Sequence, residues 1–418
     1  MTSRRRASSP ATEADATVAR HGRLPRTGAG RGVLKLVGAG LAVVLVSSLC
    51  VAGVAVWNLT SQIKPGVALE GEENIPEIGA IEGGVNLLLV GSDSGEGNPA
   101  YGERGEHLAD VTMLLHISED HSNATVVSFP RDLLVPIPSC DGHSAMSAQK
   151  LNSSLSYGGL SCTVETVKDL TGLDIPFAAK IEFDGVIQMS NAVGGVPVCV
   201  ASDIRDKQIG LYLTAGEHTL SGWDALQFVR TRYGVGDGSD LSRISNQQVF
   251  LSSLARTIKS AETLSDPVKV YGLAQAAVSN MEMSNSLQNV TTLASIALAL
   301  KDIPLDNVNF VRYPGGTGTS GGLSVVIPNK SDASILFDAI AADQPITITG
   351  DTGDGSSVDP NAPVEEATPE TPETPADPGA TGEATAPDAT QPPTPTSVEL
   401  PSTIMGQSAG TYTCSAGQ

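Results

Sequence analysis

An uncharged run of 24 residues, 36–59, constrains this chain more than any other feature of its sequence. A helix of about 20 apolar residues spans the hydrocarbon core of a bilayer, so the run predicts one transmembrane helix. Eight basic and two acidic residues lie within 1–35, whereas four glutamates lie between positions 70 and 77. By the positive-inside rule, segment 1–35 is a basic cytoplasmic segment and the rest of the chain is exported.

Two alternative interpretations of this run stay open. A cleaved signal peptide is one, although its apolar region is normally roughly 7–15 residues long and no clear small-x-small site follows this run. A lipid-modified Cys50 is the other, although Leu49 precedes it where a small residue is expected. The favoured prediction is therefore a single-pass protein of the cytoplasmic membrane, with its N-terminus inside and its C-terminal domain outside.

Beyond the predicted membrane helix, the sequence divides into three parts. Residues 60–83 contain Pro, Gly and Glu and predict a short stalk. Strand-like and helix-like patterns alternate over 84–349, which predicts an α/β domain. Residues 350–418 are rich in Asp, Glu, Pro and Thr and contain neither Lys nor Arg. Such a composition buries too little apolar surface to offset the entropy of ordering, so it predicts a disordered acidic tail.

The net charge excludes one large class of function. The whole chain has a formal charge of -21, and the excess of acidic residues extends through the predicted domain. An acidic surface repels nucleic acid backbones, so we expect no binding to DNA or RNA. That expectation, together with the exported topology, also argues against a transcriptional regulator.

Four of the five cysteines fall in the exported part, where disulfides can form. Three pairings are possible, and the sequence alone does not choose between them. Cys140 and Cys162 flank one surface-like stretch, which favours that pair. Cys199, on an apolar strand, is as readily free as bonded, and Cys50 lies in the membrane run.

Familiar catalytic motifs are absent from the sequence, including a P-loop, HExxH and paired CxxC. In the turn GSDSG, Asp93 stands where a nucleophile elbow needs serine. What remains is a set of charged and polar residues at predicted strand ends and in the stretch 226–248. Arginine forks bind phosphate oxygens and carboxylates hold Mg²⁺, so this set predicts a diphosphate site, with solvated ion pairs as the simpler alternative. The set comprises Asp93, Asp110, Arg131, Arg230, Arg232, Asp237, Asp240, Arg243 and Gln247.

Eight segments stand in an order and spacing that resemble the LytR-CpsA-Psr (LCP) family of cell-wall glycopolymer transferases. They cover roughly residues 84–260, most of the predicted domain. Within this region, VVSFPRD (126–132) and SAMSAQKLN (144–152) look similar to the corresponding sequences of actinobacterial members. The segments are NLLLVGSDS (86–94), ADVTMLLHI (109–117), VVSFPRD (126–132), KLNSSLSYGG (150–159), VETVKDLTGL (164–173), GGVPVCV (194–200), HTLSGWDALQFVRTR (218–232) and DLSRISNQQ (240–248).

The resemblance implies a three-layer α/β/α domain with a central mixed sheet and a hydrophobic pocket beside a diphosphate site. It implies transfer of a glycopolymer from a polyprenyl diphosphate carrier to a muramic acid hydroxyl of peptidoglycan. The partners would be the lipid-linked glycan, peptidoglycan and the membrane. Mg²⁺, or Mn²⁺, would be held by Asp93 and Asp110. The diphosphate would be bound by Gln247 and by four arginines that also act in catalysis: Arg131, Arg230, Arg232 and Arg243.

Some positions depart from the family pattern. Gly95 stands where many members have an arginine, and Asn246 stands where arginine is usual. The transferase is the leading hypothesis, and these departures are the features that point to the alternative of a non-catalytic, wall-anchored glycolipid-binding module. A Mg²⁺-dependent polyprenyl diphosphatase, with water as nucleophile, is the other alternative. Apolar residues within 186–193 and 249–258 are the candidates for lining a lipid channel.

Overall fold

A computed structural model describes residues 29–70, 84–93, 107–140, 142–362 and 397–418 of the chain. The chain divides into two compact units, residues 1–57 and 58–418. The helices are α1 (Ala29–Ser61), α2 (Ser153–Thr171), α3 (Phe183–Ala192), α4 (Gly222–Arg230), α5 (Asp240–Lys259), α6 (Ala261–Leu264), α7 (Pro267–Asn280), α8 (Val290–Asp302) and α9 (Lys330–Ala341).

The strands are β1 (Val85–Ser92), β2 (Ala109–Ile117), β3 (Ala124–Phe129), β4 (Leu134–Ile137), β5 (Met146–Lys150), β6 (Phe177–Ile181), β7 (Val196–Ser202), β8 (Ile204–Asp206), β9 (Leu211–Leu213), β10 (Gly216–Leu220), β11 (Met281–Met283), β12 (Val308–Arg312), β13 (Gly315–Ser320), β14 (Leu323–Pro328), β15 (Ile346–Thr347), β16 (Ser356–Val358), β17 (Val398–Glu399), β18 (Gly406–Ser408) and β19 (Thr413–Ala416).

Helix α1 contains the predicted membrane run. Its stretch Gly32–Ser61 is 30 residues long and contains an 18-residue window with a mean hydropathy of 2.4, so it is long and apolar enough to cross a bilayer. Apolar side chains along it, such as Leu41 and Val51, are exposed. A helix of the predicted length and apolar character is therefore confirmed, while its insertion and orientation in a membrane stay predictions. Most of the basic N-terminal segment, 1–28, lies outside the described residues.

A seven-stranded mixed sheet forms the centre of the second unit. Its order is β11-β6-β1-β2-β3-β12-β18. The pairs β1/β6 and β3/β12 are parallel, and the remaining neighbours are antiparallel. This arrangement confirms the predicted central mixed sheet.

Side chains of the central strands alternate between two cores because successive residues of a strand point to opposite faces. On β1, Leu88 packs into a core with Val164 of α2 and Leu336 of α9. Leu87 packs on the opposite face, in a core with Ile296 of α8 and Leu251 of α5. Helices therefore cover both faces, which confirms the three-layer α/β/α architecture.

A smaller four-stranded sheet, in the order β10-β7-β19-β16, packs against α4 and α5. Its core includes Val198 of β7 and the rings of Phe228 and Phe250, whose centroids lie 6.2 Å apart. Helix α5 thus contacts both the central sheet and the small sheet, and it holds a fixed position between them.

The C-terminal region differs from the prediction. Residues 350–362 and 397–418 are folded, so the prediction of a disordered tail over all of 350–418 is wrong for these two segments. β18 extends the central sheet, β19 joins the small sheet, and Ile404 is fully buried. Averaged over 350–418, the composition is that of a disordered segment, so the short apolar segments within it were not recognised. Residues 363–396 lie outside the described part of the chain.

The predicted stalk also differs in its first half. Val67 donates its backbone N–H to the carbonyl of Met283 at 3.0 Å, and Leu69 is buried in the core on the α2 side of the sheet. Residues up to 70 therefore pack on the domain, and residues 71–83 lie outside the described ranges.

Both disulfides lie in the second unit. Cys140 bonds to Cys162, which confirms the favoured pairing. Cys199 bonds to Cys414 across a sequence separation of 215 residues, which settles the choice left open for Cys199.

Candidate active site

Two carboxylates lie where β1 ends and β2 begins. The two strands pair regularly up to Gly91 and Val111, and Ser92 then pairs with Ala109. Asp110 is therefore an extra residue in β2, a bulge of the kind that redirects a side chain beside a functional site. Asp93 follows Ser92 and is only 6% exposed.

Arg131 contributes to the same site from the end of β3. It follows the buried strand β3, and its guanidinium is hydrogen-bonded to Oδ1 of Asp110. Its backbone N–H donates to Oδ2 of Asp240 at 3.0 Å. Both ends of Arg131 are thus held by carboxylates.

The N-terminus of α5 supplies the second guanidinium. Ser239 caps the helix by accepting from the N–H of Ser242 at 3.2 Å. Asp240 and Arg243 lie three residues apart and hence on one face of the helix. Arg243 donates to Asp240 Oδ1 at 2.6 Å, and it contacts Asp110 at the carbonyl oxygen (3.0 Å) and at Oδ2 (3.4 Å).

The charged groups of this site form a series that alternates in sign, in the order Asp240, Arg243, Asp110 and Arg131. Burial alone would raise the pKa of Asp110, but the charges of Arg243 and Arg131 outweigh it and hold that pKa below its usual range. Burial raises the pKa of Asp240, even though Arg243 acts in the opposite direction. Asp110 is therefore ionised at neutral pH, and it joins two guanidiniums that would otherwise repel each other.

Each arginine retains a buried donor that makes no hydrogen bond to the protein. Within the described part of the chain, the Nε atoms of Arg131 and Arg243 are buried and have no hydrogen-bond partner. A buried donor left without an acceptor costs about 1–3 kcal/mol. Guanidinium donors of this kind suit a phosphate-type anion, which accepts at several oxygens.

A cavity of about 200 Å³ adjoins this cluster. Asp110, Arg230 and Gln247 line its polar end. Its walls are otherwise mostly apolar, as expected for a site that takes a hydrocarbon chain. Residues from both stretches proposed as channel lining are present, namely Val186 and Met189 from α3 and Phe250, Leu251 and Leu254 from α5.

The remaining predicted residues differ in position. The guanidinium of Arg230 lies 4.2 Å from the ring centroid of Phe183, at the cavity. Gln247 donates through Nε2 to the carbonyl of Val229 at 2.9 Å. Arg232 instead donates through Nε to the carbonyl of Gly238 at 3.2 Å, in the loop between α4 and α5.

The structure therefore brings five predicted residues together. Asp110, Arg230 and Gln247 line the cavity, and Arg131 and Arg243 contact Asp110. Asp93 lies beside them at the strand end, where its Oδ1 accepts from the N–H of Leu108 at 3.2 Å. The chemical role of each residue, including Arg232, stays a prediction.

The donor set fits a hard divalent cation. Asp93 and Asp110 offer carboxylate oxygens at neighbouring strand positions, and such oxygens are the ligands that Mg²⁺ and Mn²⁺ prefer. One or two carboxylates together with substrate phosphates commonly complete such a site.

Two features of the site were not predicted. Asp240 was noted in the arginine-rich stretch but received no role, since its contact with Arg131 joins residues 109 positions apart. Asn246, a departure from the family pattern, is fully buried and donates to the carbonyl of Phe228 at 2.7 Å. Its amide oxygen accepts from Ser415 of β19. Asn246 therefore joins elements of the fold, while Gly95 lies outside the described residues.

The domain thus combines three α/β/α layers with a guanidinium cluster beside an apolar cavity. The LytR_cpsA_psr family model matches residues 60–341, two thirds of the chain. The chain therefore belongs to the LytR-CpsA-Psr family.

Relatives agree with this assignment. The chain is 28% identical over 352 residues to the cell wall biosynthesis protein LcpA of Corynebacterium glutamicum, covering 75% of this chain and 64% of LcpA. It is 34% identical over 272 residues to the probable cell wall biosynthesis protein LcpB of the same species, covering 62% and 61%. It is also 29% identical over 245 residues to the Bacillus subtilis polyisoprenyl-teichoic acid–peptidoglycan teichoic acid transferase TagT, covering 56% and 71%. The match thus spans a little less than two thirds of either corynebacterial relative.

Solved structures show the same fold. Protein gbs0355 from Streptococcus agalactiae superposes with a TM-score of 0.54 at 22% identity, covering 62% of this chain and 87% of that one. Bacillus subtilis TagV superposes with a TM-score of 0.51 at 22% identity, covering 62% and 96%.

Proposed function

We propose that this protein transfers a glycopolymer from a polyprenyl diphosphate carrier to a muramic acid hydroxyl of peptidoglycan, forming a phosphodiester. The observation that carries the proposal is the pair of guanidiniums of Arg131 and Arg243, which bind the carboxylate of Asp110 in the wall of an apolar cavity. A ligand that fits both parts has a phosphate-rich head and a hydrocarbon tail. A polyprenyl diphosphate has this chemistry.

The chain's own residues would act mainly by positioning and by charge. Arg131 and Arg243, each fixed by a carboxylate, would hold the diphosphate oxygens in one geometry. The acceptor oxygen would attack the phosphorus that bears the glycan, and the bond from that phosphorus to the polyprenyl phosphate would break. The hydroxyl proton would pass to water, and polyprenyl phosphate would leave. Charge that develops on the leaving phosphate would be stabilised by the same guanidiniums and by Arg230.

Mg²⁺ or Mn²⁺ belongs to this proposal as a cofactor held by Asp93 and Asp110. A bound divalent ion would polarise the diphosphate oxygens and offset negative charge. Asp110 would supply its carboxylate in the ionised form, because its pKa lies below the usual range.

The location and the partners follow from the same reasoning. The apolar helix α1 can anchor the domain in the membrane where a polyprenyl carrier resides. TagT is named as a transferase that joins teichoic acid to peptidoglycan, and LcpA is named as a protein of cell wall biosynthesis. These names support transfer to peptidoglycan here, with the identity of the glycopolymer left to experiment.

The test is release of polyprenyl phosphate by the full chain in detergent, from a polyprenyl diphosphate-linked sugar, with peptidoglycan fragments and Mg²⁺ present. Arg131→Ala should lower the rate by about a hundredfold or more, because it removes a donor to the developing charge. Arg205→Ala is the matched control, since Arg205 is exposed and pairs with the exposed Asp203. Equal rates for wild type and Arg131→Ala, with the control also unchanged, would reject this site.

A further inference from the structure

A second cleft, of about 550 Å³, lies beside the charged cluster. One of its walls contains Leu108, which accepts from the N–H of Asp93 at 3.3 Å and donates to Oδ1 of Asp93 at 3.2 Å. Another wall is the start of α2, where Ser153 lines the cleft. The preceding residue, Asn152, donates its N–H to the carbonyl of Arg131 at 3.0 Å. The cleft therefore borders two of the segments that build the candidate active site.

The cleft and the apolar cavity lie on opposite faces of the central sheet. On β6, Lys180 lines the cleft and the next residue, Ile181, lines the cavity. Successive residues of a strand point to opposite faces. Leu160, in the cleft, belongs to the core on the α2 side of the sheet, whereas Leu251, in the cavity, packs against the core on the other side. The end of β1, which Asp93 follows, lies between the two.

The side chains in the cleft include several polar groups. Lys180 pairs with Glu282 of the neighbouring edge strand β11. The hydroxyl of Ser156 donates to the carbonyl of Ser153 at 3.0 Å, and its oxygen can still accept. An ammonium, a carboxylate and a hydroxyl together offer both donors and acceptors. They suit a ligand rich in hydroxyl groups, such as a saccharide, and they suit a hydrocarbon chain poorly.

The geometry of phosphoryl transfer assigns a direction to each substrate. The attacking and leaving oxygens lie roughly in line, on opposite sides of the phosphorus. In the function proposed above, the leaving group is polyprenyl phosphate, whose tail occupies the apolar cavity. The attacking hydroxyl would therefore approach from the side away from that cavity, and the cleft lies on that side.

We propose that this cleft is the acceptor subsite, which binds the peptidoglycan saccharide whose hydroxyl attacks the diphosphate. The proposal rests on the transferase function and adds the place from which the acceptor enters. Lys180, Glu282 and Ser156 would hold the saccharide by hydrogen bonds, and they would take no part in making or breaking bonds.

The test compares Ser156→Trp with wild type, as full chains in detergent. Ser156 is exposed, so an indole there would fill part of the cleft without entering the core. Ser331→Trp is the matched control, because Ser331 is also an exposed serine in the first turn of a helix but does not line the cleft. Each protein is titrated calorimetrically with a soluble disaccharide-peptide fragment of peptidoglycan, in the presence of an unreactive polyprenyl diphosphonate. We expect Kd for the fragment to rise by about tenfold or more in Ser156→Trp and to stay unchanged in the control.

Binding of the diphosphonate itself is measured on the same proteins, and its Kd should be the same in all of them. In the transfer reaction, KM for the acceptor should rise in Ser156→Trp, while kcat and KM for the donor stay unchanged. Equal Kd values for the fragment in Ser156→Trp and in the control would overturn the proposal. A loss of binding for both ligands, or a rise in KM for the glycan-linked donor instead of the acceptor, would also overturn it. Absence of transfer with the difference in fragment binding intact would count only against the proposed function.

Discussion

Asp110 organises the candidate site at the scale of single residues. The bulge in β2 sets its carboxylate between two guanidiniums, which contact its two oxygens separately. Arg131 and Arg243 carry like charges, and the carboxylate between them makes their proximity favourable. The result is a rigid pair of donors, which suits a diphosphate better than two unconnected arginines would.

The negative charge of Asp240 should stabilise the folded position of Arg243. Asp240→Asn keeps the size of the side chain but leaves the buried Arg243 with one fewer ionic partner. Arg243 keeps Asp110 as an ionic partner, and burial raises the pKa of Asp240, so the free energy of unfolding should fall by less than the about 3–5 kcal/mol that breaking an isolated buried pair costs. Thermal and denaturant unfolding in detergent would measure it.

The control for this prediction is Asp203→Asn. Asp203 is exposed and contacts Arg205, so its substitution should leave the unfolding midpoint unchanged. If Asp240→Asn were as stable as the control, the buried ion pair would not hold the site together.

At the scale of elements, α5 connects the two halves of the candidate binding site. It begins at Asp240 in the charged cluster, and it lines the cavity with Gln247, Leu251 and Leu254 farther along. The capped N-terminus of α5 holds Arg243 in position. The packing of α5 between two sheets holds the residues of α5 that line the cavity. A single rigid helix can thus set the distance between the head and the tail of a ligand.

A charge in the apolar wall should interfere with the tail alone. Met189→Glu places a carboxylate in the cavity, where a hydrocarbon chain would have to desolvate it. KM for a long-chain carrier should rise by about tenfold or more, a loss of about 1.4 kcal/mol in binding. KM for a short, water-soluble analogue should change little.

Gln188→Glu is the matched control, because Gln188 lies on the same helix, is exposed and does not line the cavity. Steady-state kinetics on both carriers would separate the two cases. A similar rise in KM for Gln188→Glu, or for the short analogue, would contradict a lipid tail in this cavity.

The C-terminal strands form another element-scale feature. β19 is held in the small sheet by the bond from Cys414 to Cys199, which closes a loop of 215 residues, whereas the Cys140–Cys162 bond closes one of 22. In the chain-entropy account, a larger loop gives more stabilisation. Cys199→Ser with Cys414→Ser should therefore lower unfolding stability by about 2 kcal/mol more than Cys140→Ser with Cys162→Ser.

Unfolding of the two double variants in detergent would measure this difference. Limited proteolysis should also release the C-terminal peptide first from the Cys199/Cys414 variant. Equal losses of stability in the two variants would show that the long-range bond does not determine how β19 is held.

At the scale of the whole molecule, the sequence predicted the layered fold and most of the cluster. Alternating apolar patterns identified strands such as β1 and helices such as α5, because buried faces repeat with the period of each element. The family segments placed Asp110, Arg131 and Arg243, which the fold brings into contact. The membrane helix was evident from its length and lack of charge.

The errors came from contacts between distant parts of the chain. Ile404 and Cys414 lie in a region of tail-like composition, yet they pack against elements far earlier in the sequence, and Cys414 bonds to a residue 215 positions away. No local pattern contains that information, although Cys414 was a signal that the end of the chain could be bonded to the domain. Arg232 was predicted with Arg230 from the family resemblance; the two side chains make different contacts, and the role of Arg232 stays a prediction.

The most direct test of the central claim measures two products at once. Full chain, Mg²⁺ and a polyprenyl diphosphate-linked radiolabelled sugar would be combined with and without peptidoglycan acceptor. We predict that label attached to peptidoglycan and polyprenyl phosphate released appear in equal amounts, only when acceptor is present, and not with Arg131→Ala. Release without acceptor would instead indicate a diphosphatase, and binding with no release under either condition would indicate a glycolipid-binding module, either of which would contradict the transferase.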